Sequence, residues 1–101
     1  MTIQTVDAHG GGDINKVVAS LDGFIRALVD DPNAVVIQVS ATSNGSCLRV
    51  MVAPGDLGQI VGKQGRTARS FRAILSAIGA KTGRRLELEI CEEPSPLAPN
   101  P

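Results

Sequence analysis

Ile60-Val61-Gly62-Lys63-Gln64-Gly65-Arg66 decides how this chain is read. An aliphatic pair closes one apolar helical stretch, a four-residue loop follows, and an arginine opens the next helix. Two glycines let the backbone turn sharply and come close to a ligand. Lys63 sets a positive charge at the tip, and Gln64 adds a neutral donor and acceptor. Amides opening the following helix point outward and favour an anion. Together these features suit a phosphodiester backbone. A bare G-x-x-G also marks ordinary helix–turn–helix corners, so the weight falls on its surroundings.

Upstream, Pro54-Gly55-Asp56 breaks a strand and opens a short helix over 57–61, with Asp56 at the helix start. Downstream, a helix is expected over 66–78, with Gly79 as its C′ residue and Lys81-Thr82-Gly83 as a second turn. At 100° per residue, Arg66, Arg69 and Arg72 line one flank of that helix, and Phe71, Ile74, Leu75 and Ile78 another. Arg66 and Arg69 lie nearest the loop and can reach phosphates; Arg72 lies further along. A last strand is expected over 84–91, with Leu86, Leu88 and Ile90 inward and Glu87 and Glu89 outward.

Before the loop region, Val17, Val18, Leu21, Phe24, Ile25, Leu28 and Val29 recur at three- and four-residue steps. They define an amphipathic helix starting at Asp13 or Asn15 and ended by Asp30-Asp31-Pro32. Two strands, over 35–41 and 47–53, flank the turn Thr42-Ser43-Asn44-Gly45-Ser46 and form an antiparallel hairpin. On the second, Leu48, Val50 and Val52 face one way, Arg49 and Met51 the other. The order is α-β-β-α-α-β. A connection through two helices brings the third strand in parallel to a neighbour. The expected architecture is α+β, three helices packed on one face of a three-stranded mixed sheet. Residues 1–13, with Gly10-Gly11-Gly12, read as a flexible extension, 14–91 as the domain, and 92–101 as a proline-rich disordered tail.

Composition narrows the function. The chain has 101 residues, 43% of them apolar, which is enough for one domain with a modest core. It has no apolar run long enough to span a bilayer and no signal-peptide pattern, so the expected location is cytoplasmic. Its net charge is zero, but residues 49–85 carry eight Lys and Arg against Asp56 alone, while the rest carries two against nine acids. A domain polarised in this way can attract a polyanion on one face. Cys47 and Cys91 have no C-x-x-C spacing and read as reduced thiols, with a disulfide left open because both strands can share a sheet. His9, beside three glycines, reads as solvated.

Catalysis finds no support. Gly58-Gln59-Ile60-Val61-Gly62-Lys63-Gln64 has one residue too few between its glycines for a P-loop, and Gln64 stands where a magnesium-binding hydroxyl is needed. No Ser–His–Asp set, carboxylate pair or metal-ligand cluster is present, and no cofactor is implied. Phe24 and Phe71, the only aromatic residues, fall on faces assigned to the core. That argues against modules that stack bases on exposed rings.

The uninterrupted run Val52-Ala53-Pro54-Gly55-Asp56-Leu57-Gly58-Gln59-Ile60-Val61-Gly62-Lys63-Gln64-Gly65-Arg66-Thr67-Ala68-Arg69 resembles the small bacterial K-homology (KH) RNA-binding proteins of the KhpA (YlqC) family. Leu28-Val29-Asp30-Asp31-Pro32 and Arg84-Arg85-Leu86-Glu87-Leu88-Glu89-Ile90 extend the likeness to about three quarters of the chain. The resemblance implies a type II KH fold, in agreement with the element order. It implies single-stranded RNA binding, with Gly62, Lys63, Gln64 and Gly65 clamping about four nucleotides. It also implies self-association, or pairing with a larger KH protein of the KhpB type, and a role as RNA chaperone or post-transcriptional regulator. A KH groove has an aliphatic floor and needs no rings; Ile60, Val61 and parts of the hairpin are candidates for it, and each also reads as a core residue. Ala68 stands where KH domains often carry a bulky aliphatic residue, which implies a wider floor. The competing reading is a protein-interaction module of the same fold, presenting the first helix and the acidic half to a partner.

Overall fold

Apolar residues that alternate along the strands meet those that recur on the helices. The computed structural model describes residues 2–5 and 11–92, with side chains from residue 14 onward. Strand β1 (Thr2–Thr5) precedes helix α1 (Gly11–Leu28), and a single 3-10 turn (Pro32–Ala34) leads into strand β2 (Val36–Ala41). Strand β3 (Gly45–Val52) follows, then the short helix α2 (Leu57–Val61), helix α3 (Arg66–Thr82) and strand β4 (Arg85–Glu92).

The three expected strands form the mixed sheet. β2 runs antiparallel to β3, and β3 runs parallel to β4. Ile37 stands opposite Val50 and Val39 opposite Leu48; Leu48 stands opposite Leu88 and Val50 opposite Ile90. The period of two thus puts every large aliphatic residue of these rungs on one face. Val18, Leu21 and Ile25 of α1, Ile60 of α2 and Leu75 of α3 pack onto it in one buried cluster. The other face carries the row Gln38–Arg49–Glu89, with Arg49 paired to Glu89 at 3.3 Å.

Five expectations need correction. Within 1–13, read as flexible, Thr2–Thr5 form a strand parallel to β2, so the sheet has four strands in the order β1-β2-β3-β4. Helix α1 begins at Gly11, which puts Asp13 and Asn15 inside it rather than at its cap. Helix α3 continues through Gly79 to Thr82, and its C′ residue is Gly83, in the left-handed region at φ 74°. Gly79 lies so near the chain returning into β4 that a Cβ there would run into the Arg84 carbonyl. The apolar wheel of the helices is also wider than the core: Phe24 is 60% exposed, Ile74 54% and Leu28 40%. Glu92, read as the first residue of the proline-rich tail, instead ends β4, and His9 and the rest of that tail, residues 93–101, lie outside the described residues.

Cys47 and Cys91 are free. They share the outer face of neighbouring strands, but Cys47 stands opposite Glu87 and Cys91 opposite Met51. Four residues of ladder separate them, about 13 Å, well beyond disulfide reach. Burial, and then the Glu89 and Glu87 charges, push the Cys47 thiol above its ordinary value, which keeps it protonated. Among the described residues no helix is long and apolar enough to cross a membrane.

Candidate nucleic-acid interface

The loop is held from below and from behind. Below it, Ile60 is fully buried, and enclosing such a side chain is worth about 2–3 kcal/mol. This corrects the reading of Ile60 as groove floor: it anchors α2 in the core. Behind the loop, Asp56 is only 4% exposed. The sequence suggests a helix-start role for it, yet its side chain makes no bond to its own helix. Instead its carboxylate accepts the amides of Asp30 at 3.3 Å and Asp31 at 3.1 Å, tying α2 to the end of α1. Gln59 Nε2 adds a bond to the Asp30 carboxylate at 3.2 Å.

Within the loop the backbone reverses over three left-handed residues. Gly62 has φ 79°, Gln64 φ 57° and Gly65 φ 73°. At Gly62 a Cβ would run into the Thr67 side chain, so glycine is required there for space as well as for φ. Gly62 N–H donates to Gly58 C=O at 2.9 Å, and Gly65 N–H to Gly62 C=O at 3.1 Å. Arg66 N–H bonds Lys63 C=O. The amides of Gly62, Gly65 and Arg66 therefore build the turn. Lys63 and Gln64 form its exposed tip, facing solvent at the positive end of α3.

Beside the loop lies a cleft of about 500 Å³ lined by Val61, Gly65, Ala68, Arg69, Arg72 and Ile90. Of the candidate residues, Val61, Gly65 and Arg69 thus meet in one cleft. Gly62, Lys63 and Gln64 are not among its lining residues and adjoin it only through Val61 and Gly65, and Arg66 folds back over the loop with Nη2 3.4 Å from Gln64 Oε1. No residue of the β2–β3 hairpin is among its described lining residues. The aliphatic floor comes from Val61, the small Ala68 and Ile90 of β4, the edge strand on this side. Arg72 is drawn into the site because its Nη2 reaches across to the Leu88 carbonyl at 3.5 Å. Ile90 reads from sequence only as an inward strand residue; nothing local reveals that its strand is the edge. Among the described residues no carboxylate lines this cleft, and Arg49, on the far face of the sheet with Glu89, stands away from it.

An α-β-β-α-α-β domain whose G-x-x-G loop overhangs an aliphatic, cation-flanked cleft is a KH domain of type II. The family model described as KhpA/KhpB, KH domain matches residues 19–90. The chain is 42% identical over 67 residues to the RNA-binding protein KhpA of Aquifex aeolicus, an alignment covering 66% of this chain and 85% of that protein. It is 37% identical over 69 residues to the Listeria monocytogenes protein of the same name (68% and 91%), and 38% over 69 residues to that of Streptomyces coelicolor (68% and 86%). The chain belongs to the KhpA/KhpB KH-domain family, whose members are binding proteins rather than enzymes.

Proposed function

We propose that this protein binds single-stranded RNA and acts as an RNA chaperone or post-transcriptional regulator. The backbone of about four nucleotides lies on the Gly62–Gly65 loop. The Lys63 ammonium and the exposed loop tip meet the phosphates, and Arg66 and Arg69 extend the positive rim. Bases enter the cleft over Val61, Ala68 and Ile90. The observation that carries this reading is the junction of an aliphatic cleft, flanked by Arg69 and Arg72 and free of acids among the described residues, with an exposed cationic loop. The small Ala68 side chain leaves room for either purine or pyrimidine, which favours loose sequence preference.

The test is an anisotropy titration of labelled mixed-sequence single-stranded RNA against wild type and Lys63→Asp/Gln64→Asp, at two salt concentrations. The wild type binds and weakens with salt, because phosphate contacts release counterions. The double variant keeps its circular dichroism spectrum, since both positions are exposed, and loses binding at least tenfold through charge repulsion. Equal binding by the two proteins refutes the clamp.

A second reading adds to the first. Phe24 and Ile74 are exposed across a small apolar groove between α1 and α3, lined also by Val17, Phe71 and Ile78. Exposed aromatic and aliphatic groups at that density favour a protein contact. It fits self-association or pairing with a KhpB-type protein, which raises RNA affinity through effective concentration. Light scattering of Phe24→Ser/Ile74→Ser tests this. A shift from dimer to monomer with tetranucleotide binding intact supports it, and an unchanged mass sets it aside.

A further inference from the structure

The cleft beside the loop does not end at Arg72. On the other side of that residue a larger cleft of about 720 Å³ opens between the C-terminal half of α3 and the start of β4. Its walls include Arg72, Ser76, Gly79, Arg84, Arg85 and Leu86. Both clefts fall in the size range of ligand sites. They share Arg72, whose guanidinium spans from α3 to the Leu88 carbonyl and divides one from the other. That bond is at the long limit for a hydrogen bond, so a phosphate oxygen can replace it.

The two compartments offer the same chemistry. β4 is the edge of the sheet. Arg85 N–H donates toward the β2–β3 turn, to Asn44 C=O at 3.0 Å, whereas the Leu88 carbonyl faces α3. In a parallel ladder the backbone groups alternate in direction, so Leu86, Leu88 and Ile90 all present N–H and C=O outward. Ile90 stands in the first cleft and Leu86 in the second, each with an outward donor and acceptor of the kind a base edge can meet. The second cleft is flanked by three arginines against Glu87 among its described lining residues. This balance favours a polyanion over an acidic or neutral partner strand.

We infer that the RNA track continues past the G-x-x-G clamp, over Arg72, into a second nucleotide-binding compartment at Leu86 that ends on Arg84 and Arg85. The inference rests on the RNA-binding reading and deepens it, because it extends the footprint beyond the four nucleotides of the clamp. Arg72 then contacts the phosphate between the two compartments. Gly79 lies where the helix backbone packs directly on the Arg84 carbonyl, at one wall of this second compartment.

The experiment uses the full chain, 15N-labelled, titrated with a tetranucleotide and with an octanucleotide of mixed sequence. Amide shifts of 61–65 move with both RNAs, and those of Arg85 and Leu86 move with the octanucleotide alone. The longer RNA binds about tenfold tighter, as expected for one or two added phosphate contacts at low salt. Two folded variants probe the far cleft independently: Arg84→Glu/Arg85→Glu, and Ser76→Glu, which adds an acid at an exposed helical position without removing an arginine. Both keep tetranucleotide affinity and lose the gain with length. A longer RNA also gains affinity merely by offering more registers to one site, but that gain survives in the variants. Its persistence in both overturns the second compartment and leaves the β4 edge to a partner strand. If Lys63→Asp/Gln64→Asp binds both RNAs as the wild type does, the clamp itself fails, and the extended track fails with it.

Discussion

Asp56 shows how far one side chain can act from its place in sequence. Its backbone is helical, φ −92° and ψ −11°, at the start of α2, and a local reading stops at helix capping. Its carboxylate instead closes the end of α1, holding two amides more than twenty residues away. That partnership was not legible, because it depends on where the Asp30-Asp31-Pro32 turn comes to rest. By contrast, the need for glycine at Gly62 was legible from the tight turn alone, although the Thr67 contact behind it was not. Removing the Asp56 carboxylate leaves both amides under-bonded near the core. Asp56→Ala should therefore lower unfolding free energy by about 2–3 kcal/mol, since bonds to a charged acceptor are stronger than neutral ones. Urea denaturation followed by circular dichroism measures this. Because the brace sets the angle of α2, RNA affinity should fall as well, even at temperatures where the variant remains folded. A loss within 0.5 kcal/mol, roughly what an ordinary surface position gives, would mean that the two amides find water instead.

The helices differ in how they use their glycines, and this limited how well their ends could be read. In α3, both Gly79 and Gly83 satisfy the local rule for a helix stop. The chain continues through the first because the returning Arg84 carbonyl packs where a side chain would sit, and stops at the second, whose φ is positive. Gly23 of α1 meets nothing within 4 Å of a built Cβ. Two alanine substitutions in helix interiors should thus have opposite signs. Gly23→Ala should stabilise by about 0.5–1 kcal/mol through helix propensity alone. Gly79→Ala gains the same propensity but forces α3 away from β4, and overpacking of this kind costs about 1–3 kcal/mol. Thermal unfolding of the pair checks it, with an upward shift for the first and a downward one for the second. Matching shifts would show that α3 can slide on the sheet without loss. Strand β1 escaped the sequence for a related reason. Four residues carry little local signal, and pairing with the open edge of β2 decides their conformation.

Across the whole molecule, charge is more finely divided than the sequence suggests. Counting by position puts eight cations within residues 49–85, and the sign of that polarity holds at the cleft. The fold then sorts them. Lys63, Arg66, Arg69 and Arg72 surround the loop and its cleft, while Arg84 and Arg85 lie at the far end of α3. Arg49 sits on the opposite face of the sheet, bonded to Glu89. The sheet stands between it and the cleft, and at physiological salt screening over about 8 Å removes most of what would reach through. Period-two alternation already put Arg49 on the outward face, but which face the RNA takes follows only once β4 is known to be the edge. The dependence of affinity on salt separates the two groups. On single strands each phosphate contact contributes about 0.7 to the slope of log affinity against log salt. Arg69→Ala should reduce that slope by about this amount and weaken binding, whereas Arg49→Ala should leave slope and affinity unchanged within error. If Arg49→Ala lowers the slope as much as Arg69→Ala does, RNA crosses the open face of the sheet, and the cleft between α3 and β4 is not its seat.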